Sequence, residues 1–98
     1  MKSIKYARRA RADLEDIIDY TARTWGADQA KRYTRDIRVQ IERIASDDVI
    51  TQPLRVARSG MFKSRINRHL IIFEQRDDHI LIVRILHEAM DIPRQIEP

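Results

Sequence analysis

Two apolar runs, Leu70–Phe73 and Ile80–Leu86, flank the polar break Arg76-Asp77-Asp78, a pattern that predicts a β-hairpin. Each run is apolar on both faces. Leu70 and Ile72 point one way and Ile71 and Phe73 the other, while Ile80, Ile82 and Leu86 oppose Leu81, Val83 and Ile85. Strands of this kind need cover on both sides. The helices legible in the chain suffice for one, so the pattern predicts that a partner covers the other.

Upstream the period changes. Ser3 to Ala7 reads as a short opening strand with Ile4 and Tyr6 on one face. From Arg8 to Trp25, the residues Ala10, Leu14, Ile17, Ile18, Thr21 and Trp25 recur at helical spacing and predict an inward stripe. Gly26 is expected to end that helix in a left-handed conformation. Asp28 reads as the N-cap of a second helix to about Ala45, with Ala30, Tyr33, Ile37, Ile41 and Ile44 inward. So short a connection folds the two helices into an antiparallel hairpin. Past Pro53, Leu54–Arg58 and Phe62–Ile66 read as extended segments, and Pro93 limits any tail helix to a short one. The order is β-α-α-β-β-β. It defines a single α+β domain over 1–98, an antiparallel sheet with an N-terminal helical hairpin on one face.

Composition narrows the class. Ninety-eight residues, 43% hydrophobic and 35% charged, suit one folded domain. No apolar run reaches the roughly 18–20 residues of a membrane helix. The N-terminus is basic without the apolar stretch of a signal peptide, and a cytoplasmic location is expected. The absence of cysteine excludes disulfides and thiolate metal sites. Net charge is +4, carried mainly by arginine. The stretch Val49–Phe73 holds no acid but contains Arg55, Arg58, Lys63, Arg65 and Arg68. Such a stretch suits an acidic protein segment or nucleic acid, and equally a solvated edge that deters strand pairing.

Candidate chemistry is sparse. His69, His79 and His87 lack metal-ligand spacing, no nucleophile elbow is present, and Gly26 and Gly60 form no phosphate loop. No metal, cofactor or small-molecule substrate is expected. Arg65, Arg68 and His87 could grip a phosphate and move a proton, as RNA cleavage requires. A turn at Asp77-Asp78 sets His87 opposite Arg68 and leaves Arg84 on the other face. His87 reads either as a strand-end side chain bonded to backbone, the favoured reading, or as a proton-transfer group. Arg84 interrupts an apolar strand and must be paired. It is either an ion-pair partner of Asp13, Asp16 or Asp36, or an anchor for an incoming carboxylate.

Asp13-Leu14, Ile17, Tyr20, Trp25-Gly26, Gln29-Ala30 and Tyr33 resemble the helical hairpin of ParE-type toxins. Arg68-His69-Leu70-Ile71 and Ile82-Val83-Arg84-Ile85-Leu86-His87, followed by Met90-Asp91, are similar to that family's terminal signature. The likeness covers nearly the whole chain and places it in the RelE/ParE toxin–antitoxin superfamily. It implies a RelE-like toxin fold, inhibition of DNA gyrase without enzymatic activity, and a hetero-oligomer with an acidic-tailed, ParD-like antitoxin. Antitoxin or target binding then falls to Arg55, Arg58, Lys63, Arg65, Arg68, Arg84 and His87. The superfamily's other branch, ribosome-dependent endoribonucleases, is the alternative. Its terminal aromatic has no counterpart here, since none follows Phe73.

Overall fold

Ala7 leaves a short strand in extended backbone, φ −65° and ψ 154°, and the chain turns directly into a helix. The computed structural model describes residues 1–54 and 60–96. Strand β1 (Ser3–Tyr6) is followed by helices α1 (Arg8–Trp25) and α2 (Ala27–Ala45). Strands β2 (Gln52–Pro53), β3 (Met61–Ile66), β4 (His69–Gln75) and β5 (His79–His87) come next, then the short helix α3 (Ile92–Ile96).

Gly26 alone joins the two long helices. Its φ of +97° is a conformation that side chains resist. Its N–H donates to the Ala22 carbonyl and its own carbonyl accepts from the Ala30 N–H. Gly26 therefore occupies the N-cap position expected of Asp28, which lies instead in the first turn of α2. An acid there still favours the helix dipole.

The strand order is β1-β5-β4-β3-β2. The sheet is mixed rather than antiparallel throughout, because β1 runs parallel to β5, Ser3 pairing with His79 and Tyr6 with Ile82. Among the described residues four strands follow the helical hairpin, the first only two residues long. From Arg55 on, the predicted Leu54–Arg58 segment lies outside the described residues, and the pairing seen is Gln52 with Lys63 and Pro53 with Phe62.

The β4–β5 hairpin turns where expected but carries a bulge. Phe73 pairs with Ile82 and Ile72 with Arg84, leaving Val83 unmatched. The slip puts Ile82 and Ile85 on one face, against α2, and Val83 and Leu86 on the other. It also sets His87 opposite His69, not Arg68.

The helix-side core joins Ile37, Ile41 and Ile44 of α2 to Ile71, Phe73, Ile80, Ile82 and Ile85, with Leu14 and Ile17 of α1 packed against them. Each such side chain stabilises the fold by about 1.5–3 kcal/mol. Trp25 is not part of this core. It is 71% exposed, and Thr21, one turn earlier, takes the inward position.

The opposite face is also covered, contrary to expectation. Met61, Ile72 and Leu86 are 2%, 0% and 0% exposed. Ile92 and Ile96 lie one turn apart on α3 and pack on them with Leu54, Leu70 and Val83. Pro93 does not prevent this, since in a first turn its missing N–H is not needed. Burial therefore supplies no argument for a required partner.

Candidate functional site

At one end of the molecule the reversal at Gly26 faces the β3–β4 turn, and an open groove of about 1010 Å³ lies between them. Helix α1 contributes Tyr20, Thr21 and Trp25, and α2 contributes Asp28, Gln29, Arg32 and Tyr33. The sheet contributes Asn67, Arg68, His69 and His87. Asn67 makes the two-residue turn possible by adopting φ +51°, which asparagine tolerates.

A polar chain lines the base of this groove. The Tyr33 hydroxyl lies 2.6 Å from His69 Nδ1, and the His69 and His87 rings meet edge to face at 5.4 Å. His87 Nδ1 accepts the Ala89 N–H at 3.1 Å, which assigns the proton of the neutral ring to Nε2. Burial holds the His69 pKa below its ordinary value; nearby His87 adds to the effect and Glu88 opposes it. Burial likewise raises the Tyr33 hydroxyl, against an opposing Asn67 hydrogen bond.

The His69 shift has a measurable consequence. Unfolded, this ring takes up its proton near 6.5; folded, it does so only at lower pH. The unfolded chain therefore binds more protons between those values. The stability contributed by neutral His69 is complete above the unfolded pKa and declines as pH falls through that window. The urea midpoint is expected to drop as pH falls below about 6.5, with a shallower drop for His69→Gln. Parallel pH profiles for the two proteins would remove this role.

The remaining candidate residues lie elsewhere. Arg65 is paired with Glu88 and also donates to the Asn67 carbonyl at 3.0 Å. Lys63 and Arg65 line a second groove with Gln40, Ile50 and Leu70. Arg84, 8% exposed, is an ion-pair partner and not an anchor for an incoming carboxylate. Its Nε and one terminal nitrogen donate to the two oxygens of Asp13 at 2.7 and 2.9 Å, and the other donates to the Gln95 carbonyl at 3.0 Å. Asp13 also accepts the Ile85 N–H at 2.9 Å. The paired carboxylate raises the Arg84 pKa although burial pulls it down. Arg55 and Arg58 lie outside the described residues.

Of the five described residues among the seven singled out from sequence, the structure brings Arg68 and His87 into the Gly26 groove. Tyr20, Trp25, Arg32 and Tyr33, which also line it, were not singled out as site residues. Trp25 beside Gly26 was the available signal, since an aromatic at the last position of a helix need not face the core. Among the described residues, no three His, Asp or Glu side chains cluster to hold a metal ion. No helix among them is long and apolar enough to cross a membrane.

A helical hairpin on one face of a mixed five-stranded sheet, with β1 beside β5, is the RelE-like toxin fold. The chain is similar to a chain of the chromosomal ParDE toxin–antitoxin system of P. aeruginosa, with TM-score 0.75, 25% identity, and coverage of 89% of this chain and 96% of that one. A chain of the RelBE2 toxin–antitoxin complex of Mycobacterium tuberculosis shares the fold at TM-score 0.67 and 17% identity, covering 88% and 96%. Residues 4–92 match the ParE toxins of the type II toxin–antitoxin system parDE. Toxin ParE1 of Caulobacter vibrioides is 35% identical over 91 residues, 93% of this chain and 94% of that protein. The chain belongs to the ParE toxin family of type II toxin–antitoxin systems.

Proposed function

We propose that this toxin arrests growth by binding DNA gyrase as a protein inhibitor in the cytoplasm, with no covalent chemistry of its own. A ParD-type antitoxin holds it inactive in a hetero-oligomer, the antitoxin's acidic tail seated on exposed cations of the toxin. The observation that carries the reading is the dispersal of the candidate residues. Arg84 is locked to Asp13, Arg65 is engaged by Glu88, and Lys63 lines a different groove from Arg68 and His87. Among the described residues, Lys63, Arg65 and Arg84 do not join Arg68 at His87, whereas a phosphate-cleaving site gathers its cations about one proton-transfer group. What remains is a surface suited to binding. Membership of the ParE family supports gyrase over the ribosome as the target.

Supercoiling of relaxed plasmid by purified gyrase is the direct test. Added toxin is expected to slow supercoiling or to accumulate cleaved DNA, and co-purified antitoxin is expected to restore activity. Unchanged supercoiling at a large excess of toxin would refute the reading.

One observation favours a second reading. His69 and His87 stand 5.4 Å apart in the groove that also holds Arg68, a pair placed to pass a proton beside a phosphate. Primer extension on translated messages tests it. Cuts that vanish in His87→Ala would identify a ribosome-dependent endoribonuclease instead.

A further inference from the structure

Two aromatic rings stand out from the Gly26 groove with no structural task. Trp25 is 71% exposed and Tyr20 is 61% exposed, and both line it. Neither packs in a core cluster among the described residues. Two cations flank them. Arg32 donates at 2.8 Å to the uncharged Gln29 amide oxygen, and the Arg68 guanidinium has no ion pair among the described residues. Asp28 is the one acid among the described residues of the lining.

We propose that this groove takes a single-stranded stretch of DNA, its bases stacked on Trp25 and Tyr20 and its phosphates held by Arg32 and Arg68. Exposed aromatic faces in one groove with guanidinium groups that carry no ion pair among the described residues are what an unstacked strand requires, since every base offers a flat face and every linkage a charge. Bases inside a duplex are already stacked and leave such rings unused. The floor of the groove favours the same occupant. Asn67 and the two imidazoles offer hydrogen bonds, whereas an amphipathic protein helix needs an aliphatic floor. At about 1010 Å³ and open at its sides, the groove is at the upper limit of small-molecule pockets and suits a chain passing through.

The inference rests on the gyrase reading for its biological setting. An enzyme that breaks and reseals DNA presents unpaired bases at the break, and a toxin that grips them hinders resealing. The groove's chemistry is tested without gyrase.

Trp25 is the only tryptophan in the chain, so its emission reports directly on the groove. Titrating the purified full-length toxin with a short oligodeoxythymidylate is expected to quench that emission saturably. Affinity should fall as salt rises, and Arg68→Ala should reduce the log–log slope by about 0.7, the share of one phosphate contact on a single strand. With a labelled oligonucleotide followed by anisotropy, Trp25→Ala and Tyr20→Ala are each expected to weaken binding about tenfold. Their exposure should leave thermal melts unchanged.

Absence of quenching at low salt would overturn the proposal. So would quenching by a glutamate-rich peptide in place of the oligonucleotide, which would mark the groove as a protein site, or tighter capture of the matching RNA. The two readings fail separately. Saturable DNA binding without gyrase inhibition removes the gyrase reading and keeps this one, whereas gyrase inhibition without DNA binding does the reverse.

Discussion

Asp13→Ala is expected to destabilise the fold by about 3–5 kcal/mol, the usual effect of stranding one partner of a buried ion pair. Its carboxylate accepts three hydrogen bonds, two from the Arg84 guanidinium in a forked arrangement and one from the Ile85 backbone. Side-chain exposures of 10% for Arg84 and 14% for Asp13 leave little water to replace them. Substituting both partners by similar apolar residues, Asp13→Leu with Arg84→Met, should restore much of the loss. The Ile85 N–H then stays unpaired, so a deficit of about 1–3 kcal/mol should persist. Urea denaturation of the wild type, Asp13→Ala, Arg84→Met and the double variant closes the cycle. If Asp13→Ala loses less than about 1 kcal/mol, the pair is not the clasp described here.

Phe73→Ala should have an effect of similar size. Phe73 is 0% exposed in the helix-side core, stacked on Phe62 at 5.8 Å and paired with Ile82 beside the bulge. Truncating it removes buried area and leaves a void, with an expected loss of about 3–5 kcal/mol. A domain of this size is stable by roughly 5–15 kcal/mol, so the variant would be marginal at 37 °C or unfolded. Trp25→Ala is the internal control. It deletes a larger ring that is 71% exposed, and its melting temperature should stay near that of the wild type. Equal melting temperatures for Phe73→Ala and the wild type would contradict the core assignment.

How much of this was legible in the chain differs by element. The limits of α1 followed from its stripe and Gly26, and Asp13 was one of three acids anticipated for Arg84. The bulge was not legible. Strand register is written in alternation, and Ile80 to Val83 are apolar at every position, so a slip of one residue exposes no polar group. That hidden slip is why His87 meets His69 and why the two faces of β5 exchange members past Val83. Helix α3 was too short for its Ile92 and Ile96 to register as a period, yet those two residues help close the second face. Arg68 and His87, expected to face each other across the strands, both line the Gly26 groove although the cross-strand partner of His87 is His69. Trp25 was misplaced because an aromatic in a helical stripe reads as core, while its fate here was decided by the reversal at the next residue.

The pairing of β1 with β5 also constrains when the protein can exist. Ser3 is made well before its partner, His79. At roughly 5–20 residues per second that partner arrives several seconds later. Until then the nascent chain lacks β5, the strand that joins β1 to β4 and on which the helical hairpin also packs. Closing a loop of that span is slow compared with helix formation. The sheet can therefore close only once His79 to His87 have been made, well after the helical hairpin has had time to form.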